Sequence, residues 1–300
     1  MKKFLTYSIC VCLVSWAAFG IYYLASGGNP TSNKIVFSVV ESLYMFFPLI
    51  VAVALQLLRK ESLRSTGFLN FKLSWEWLVS LLVPLFAVVI CIMISALMPG
   101  VKLDFGLDQI IRQFNINESD ATAINEQFQN ITPGAFIVFQ VVVALVAGCT
   151  VNALFAFGEE YGWRNYLVDA LKDFNFLKKA LLIGLVWGIW HAPLILLGHN
   201  YPQHPVIGVG MMCVFCILLG IIELYFVLKT HSVFPAAIFH GTINALDGIP
   251  LYFITGGSDL TVGLTGLSGF IAFGIIITCI FIFDRFLSWH PVFRDPTETS

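Results

Sequence analysis

The chain has 300 residues, of which 58% are hydrophobic and only 11% charged, against roughly 25% charged residues in an ordinary soluble domain. With a mean hydropathy of +0.86 and repeated apolar runs of bilayer length, this excludes a soluble globular domain and points to an all-α, polytopic integral membrane helix bundle whose first partner is the lipid bilayer. A formal net charge of −2, with no basic stripe, gives no footing for a nucleic-acid partner.

In chain order, the apolar runs predict about eight membrane helices, near 4–26, 35–58, 75–98, 135–160, 180–198, 206–228, 233–254 and 262–284. Met1-Lys2-Lys3 opens like a signal peptide. The apolar run behind it is longer than the ~7–15-residue core of such a signal, so it is read as the first span. Lys2, Lys3, Arg59, Lys60, Arg64, Lys72, Lys172, Lys178, Lys179, Lys229, Arg285 and Arg294 then fall on one side of the bundle, and Lys34, Lys102 and Arg112 on the other. The positive-inside rule makes both termini cytoplasmic.

A long polar loop, about 101–132, lies on the outer side and carries Asp104, Asp108, Glu118, Asp120, Glu126 and the sequons Asn117-Glu118-Ser119 and Asn130-Ile131-Thr132. The organisation expected is three N-terminal helices with this loop over 1–134, a four-helix core over 135–250, and a last helix with a short tail over 251–300. The seven cysteines, Cys213-x-x-Cys216 included, lie in apolar runs and read as small buried hydrophobes.

A charge at the centre of a membrane helix costs about 2.5–3.5 kcal/mol on the insertion scale, and most spans carry none. The exceptions cluster in the second half: Asn152, Glu159, Glu160 and Arg164 around the fourth span, His191 in the fifth, Glu223 in the sixth, and His240, Asn244 and Asp247 in the seventh. Glu160 and Arg164 are four apart and share a helix face, so they pair. Glu159 is turned about 100° away from Glu160 and is left free, with Asn152 two turns back on nearly its own face. Trp187 precedes His191 by one turn, and His240 precedes Asn244 by one turn. Groups of this kind inside lipid face one another or a wet cavity.

A carboxylate beside an imidazole suits water activation, and a second histidine with an amide one turn on suits stabilisation of an oxyanion. No G-x-S-x-G elbow and no motif cysteine offers a nucleophile. The same side chains offer a second reading: Glu159, His191 and His240 would make a zinc set, although the H-E-x-x-H signature is absent. Glu223 reads as a structural or snorkelling carboxylate, and Asp247 as a helix-end marker or an orienter of a histidine.

Glu159-Glu160-x-x-x-Arg164, Trp187-x-x-x-His191 and Phe239-His240-x-x-x-Asn244 resemble the three ordered motifs of the CPBP (Abi) family, the type II CaaX prenyl endopeptidases and bacteriocin-processing or immunity proteins. The resemblance covers about 135–250, and it departs from the common pattern where the second motif starts with Trp187 in place of Phe. It implies an intramembrane endopeptidase. Glu159 would be the general base, His191 would hold the water, His240 and Asn244 would stabilise the oxyanion, and Glu160 and Arg164 would support the site. Asn152 and Trp187 are the expected cavity-lining residues. No cofactor is required on this reading, with zinc as the metal alternative.

The expected substrate is a membrane-embedded or lipidated peptide or protein in a bacterial inner membrane, reached through a site open to the cytoplasmic leaflet. The competing reading is a non-catalytic immunity or peptide-binding membrane protein. A transporter would show repeats or paired broken helices, which the sequence lacks.

Overall fold

The fold is that of a computed structural model describing residues 1–106, 109 and 132–293. The sequons, Asp108, Arg112, Glu118, Asp120, Glu126 and Arg294 lie outside the described residues. The chain is a polytopic helical bundle, with two-residue strands β1 (Lys102–Leu103) and β2 (Ile254–Thr255) pairing antiparallel.

The first predicted span is α1 (Lys2–Ala25). The second is broken into α2 (Lys34–Tyr44) and α3 (Phe47–Leu58). Pro48, with no N–H to donate to the turn before it, stands at the start of α3 and accounts for the break. The third is α4 (Trp75–Ser95).

The fourth is also interrupted. It comprises α5 (Pro133–Cys149) and α6 (Val151–Glu160), then a π turn (Tyr161–Tyr166) and α7 (Leu167–Ala170), with a 45° bend between 133–149 and 151–170. The break falls at Thr150, whose backbone leaves the helical region (φ −122°, ψ −95°). The remaining helices are α8 (Phe176–Trp190), α9 (Ala192–Leu196), α10 (Pro205–Thr230), α11 (Phe234–Leu246) and α12 (Leu267–Phe286).

Among the described residues, five spans are long and apolar enough to cross a bilayer unaided, namely α1, α2 with α3, α4, α10 and α12, and the bent α5–α7 run makes a sixth. The fifth and seventh predicted spans correspond to α8, of 15 residues, and α11, of 13. Both fall short of the ~20 residues of a full crossing. They are also the helices that carry His191 and His240, and they lie packed against other helices. Of the cysteines, Cys91 and Cys216 are buried as expected, whereas Cys149 and Cys279 face outward.

Small residues let these helices approach closely, as membrane bundles require. Gly188 of α8 faces α10 so tightly that a Cβ there would lie 2.4 Å from the Cys213 Cα. Gly241 does the same for α11 against α6, where a Cβ would meet the Ala153 amide nitrogen at 2.6 Å.

The two ends of the bundle differ in charge. At one end Lys3 Nζ joins Glu61 (2.9 Å) to Asp169 (3.0 Å), the Asn70 side chain donates to the His231 carbonyl (3.3 Å), and Lys229 Nζ donates to the His290 carbonyl (2.6 Å). These contacts gather the start of α1, the loop after α3, the end of α7, the end of α10 and the segment after α12. With them come Arg59, Lys60, Arg64, Lys72, Lys172, Lys178, Lys179 and Arg285. At the other end Tyr201 donates to the Thr265 carbonyl (2.7 Å), His204 meets Asp259 (2.6 Å), His199 meets Glu41 (2.8 Å), and β1 pairs with β2. Lys34 and Lys102 lie at that end.

Candidate active site

The polar side chains of the three motifs meet inside the bundle in two layers. The upper layer faces a cavity of about 570 Å³ lined by Asn152 and Glu159 of α6, Trp187 and His191 at the end of α8, and His240 and Asn244 of α11. All four residues expected to act on substrate therefore share one cavity, together with both expected lining residues. Glu159 is only 2% exposed. Its Oε2 accepts indole N–H bonds from Trp187 (2.6 Å) and Trp163 (3.3 Å), which leaves Oε1 outside both bonds. His191 Nδ1 lies 2.9 Å from the Trp187 carbonyl. A carbonyl only accepts, so Nδ1 carries the proton and the neutral ring keeps a lone pair on Nε2.

Beneath this layer lies an ionic group that the cavity does not reach. Arg164 donates from Nη1 to Glu160 Oε1 (3.2 Å), pairs through Nη2 with Glu223, and stacks its guanidinium 4.2 Å from the Trp187 ring centre. Glu160 Oε1 also contacts His240 Nδ1 at 2.9 Å. Glu160, Arg164 and Glu223 are at most 1% exposed. The expected Glu160–Arg164 pair is present, and Glu160 has a further partner in the second histidine. Glu223, read from the sequence as a snorkelling or structural carboxylate, is the second anion on Arg164. It cannot snorkel, because it sits on α10 wholly enclosed by the bundle.

Depth is resolved by the same geometry. The π turn that comes after Glu160 carries Trp163 and Arg164 inward, and the chain only then reaches Asp169 at the lysine-rich end. Glu159 therefore sits well below that surface, level with His191 and His240. Such turns widen a helix locally and re-aim its side chains.

Among the described residues, the group whose ligand atoms lie mutually within 4.8 Å is Glu160, Glu223 and His240. It shares only His240 with the set Glu159, His191 and His240 read from the sequence. A divalent cation such as zinc does not fit it, because the Arg164 guanidinium already bonds both carboxylates and supplies the cation between them.

From Glu159 the cavity extends past His191 and His240 to Glu41, His199, Asn200, Asp247 and Thr265, away from the lysine-rich end. The ionic layer closes it on the near side. A second, shallower groove of about 470 Å³, lined by Ile35, Val39, Leu43 and Phe155, shares Ser38, Ser42 and Phe155 with the cavity.

Several contributors carried no sequence signal. Tyr44 of α2 lines the cavity and donates to the Trp190 carbonyl (3.1 Å), as Trp16 of α1 also does (3.1 Å). α2 thus walls the site directly, and α1 braces the end of α8 through Trp16. Trp163 stood within the first motif, and its four-residue spacing from Glu159 on one face was the available clue to the indole bond.

Residues 133–246 match the family described as type II CAAX prenyl endopeptidase Rce1-like. A stretch of 93 residues, 29% of this chain, is 38% identical to CAAX prenyl protease 2 of Methanococcus maripaludis. The match covers 34% of that relative, so the two proteins are alike over about a third of its length. Every motif side chain described above lies inside the matched range. Over 133–246, less than half of its length, the chain is thus similar to the Rce1-like type II CAAX prenyl endopeptidases.

Proposed function

We propose that the protein is an intramembrane endopeptidase that hydrolyses peptide bonds in membrane-associated or lipid-tethered peptides, with Glu159 as the group that activates water. The observation that carries this reading is the Glu159 carboxylate. It is held by two indole N–H bonds through one oxygen, and it shares a cavity with His191, His240 and the Asn244 amide. The name and length of the relative add support of a general kind, since only a third of it is matched.

A water between Glu159 Oε1 and His191 Nε2 would lose a proton to the carboxylate as its oxygen attacks the scissile carbonyl carbon. The carbonyl π electrons move onto oxygen, where His240 Nε2–H and the Asn244 side-chain amide donate to the developing charge. Glu159 then returns the proton to the leaving nitrogen as the C–N bond breaks. His240 can donate from Nε2 while its Nδ1 faces Glu160 if the ring is an imidazolium. Glu160 and Glu223 against Arg164 and His240 then make a buried group with no net charge, as such a group needs. The side groove gives a lipid-tethered substrate a path to the carboxylate without leaving the membrane.

The test compares newly formed peptide termini in membranes from cells making wild-type protein or Glu159→Gln at equal levels. Termini present only with the wild type support the reading and identify the substrate. If no termini depend on Glu159 while a toxin-resistance or other phenotype persists in Glu159→Gln and His191→Ala, the protein is a binding or immunity protein.

A further inference from the structure

We infer that Trp187 is a positioning residue for Glu159: its indole N–H holds Oε2, so that Oε1 is the oxygen presented to the cavity as the base, a part for which the Phe common at this place in the second motif has no donor. The inference rests on the endopeptidase reading for the word base, but not for the hydrogen bond.

A carboxylate turns about its last carbon–carbon bond, and its two oxygens are otherwise equivalent. In this site they are not. Oε2 accepts from Trp187 at 2.6 Å and from Trp163 at 3.3 Å. The Trp187 bond is the stronger of the two, at the short end of charge-assisted contacts. An oxygen that already accepts two N–H bonds has both lone pairs engaged and is a poor destination for the proton of a water. Oε1 carries neither bond, on a side chain that lines the cavity with His191. A buried indole N–H needs an acceptor, and a backbone carbonyl would meet that need as well. Here the acceptor is the carboxylate that shares the cavity with His191 and His240.

The ionic layer aims the indole. The Arg164 guanidinium, held by Glu160 and Glu223, lies 4.2 Å from the Trp187 ring centre. The His240 ring meets the indole edge-on, with centroids 5.3 Å apart and planes at 62°. The Trp187 carbonyl accepts from His191 Nδ1 at 2.9 Å. One residue therefore touches Glu159, Arg164, His191 and His240, and it is only 2% exposed. A phenyl ring at this position would keep a ring over Arg164 and the backbone bond to His191. It would lose the N–H together with the volume of the second ring, so a test of the N–H alone needs a replacement of the same shape.

Two variants are made in the full chain, Trp187→Phe and Trp187→3-benzothienylalanine. The second keeps the two-ring shape and carries sulfur in place of the N–H. Hydrolysis is followed on a fluorogenic peptide that spans the Glu159-dependent terminus, and the Glu159 carboxyl band is read by infrared spectroscopy, assigned by its loss in Glu159→Gln. The expected result for both variants is a kcat lower by about 10²-fold, the loss that misplacement of a reacting group brings, with KM nearly unchanged and the Glu159 band shifted. Wild-type kcat, an unshifted band or a loss confined to KM in the benzothienyl variant overturns the inference, whatever the Phe variant does to folding. Failure of the endopeptidase reading is seen separately, as the absence of any Glu159-dependent terminus. The infrared band then decides alone: a shift keeps Trp187 as the residue that holds Glu159 in a binding pocket, and an unshifted band removes it.

Discussion

His240 Nδ1 lies 2.9 Å from Glu160 Oε1, a contact that spans 80 residues of sequence and joins α11 to the end of α6. Through it the second carboxylate of the Glu159-Glu160 pair reaches the catalytic cavity without lining it. Glu160→Gln is expected to lower kcat by about 10–100-fold with little change in KM, because it removes the anion that holds His240 as a donor. A loss confined to KM would mean that Glu160 only packs the helices together.

Replacing Glu159 itself separates chemistry from folding. Glu159→Gln keeps an acceptor oxygen for the Trp163 and Trp187 indoles, so purified protein should show an unchanged melting temperature in detergent. Peptide hydrolysis should fall by about 10²–10⁴-fold, the usual contribution of a positioned general base. Hydrolysis at the wild-type rate would remove Glu159 from the mechanism.

Arg164 is the keystone of the buried ionic layer, and its loss should be felt in stability first. Arg164→Ala removes the cation that Glu160 and Glu223 share, a change that costs about 3–5 kcal/mol in buried pairs. Arg164→Lys should recover little, because one ammonium cannot reproduce the fork that serves both carboxylates and stacks on Trp187. Thermal unfolding in detergent micelles checks both variants. An Arg164→Lys protein as stable as wild type would show that charge alone, rather than fork geometry, holds the layer.

Activity, once assayed, should be insensitive to chelators. With Arg164 bonded to both carboxylates of the group closest to a ligand set, prolonged treatment with EDTA or phenanthroline should leave turnover unchanged. Inactivation reversed by added zinc, but not by calcium, would place a metal in the site after all.

Tight helix contact offers a control far from the chemistry. Gly188→Val sets two methyl groups against the Cys213 backbone, where even a Cβ would be at 2.4 Å, and should destabilise by about 1–3 kcal/mol or more. Gly210 has open space around it, and Gly210→Ala should be neutral or slightly stabilising in the same melting assay.

The cost of polarity in lipid decided how much of the site was legible in the sequence. Glu159, His191, His240 and Asn244 stood out because each interrupts an apolar run, and three ordered motifs placed them on separate helices, so their meeting in one cavity could be anticipated. Glu160 and Arg164 were legible from four-residue spacing alone. The Trp187–Glu159 and His240–Glu160 contacts were not, since nothing local records which distant helix a side chain meets. Of the two readings of Glu223, the structural one holds; hydropathy places a residue along a helix axis but not around it, so the sequence could not choose between them. α8 and α11 are shorter than the apolar runs that predicted them, because α8 stops at Trp190 and α11 at Leu246, and an apolar run does not by itself record where its helix ends.

The closed ionic floor has a consequence for the membrane as a barrier. A water-filled hollow reaching a buried carboxylate could become a leak for protons and small ions, yet Glu160, Arg164 and Glu223 fill the path beyond it with side chains that bond one another. The hollow is a blind well rather than a channel. On the endopeptidase reading, both fragments of a cut peptide would leave on the side from which it came, and cleavage by itself would move nothing across the bilayer.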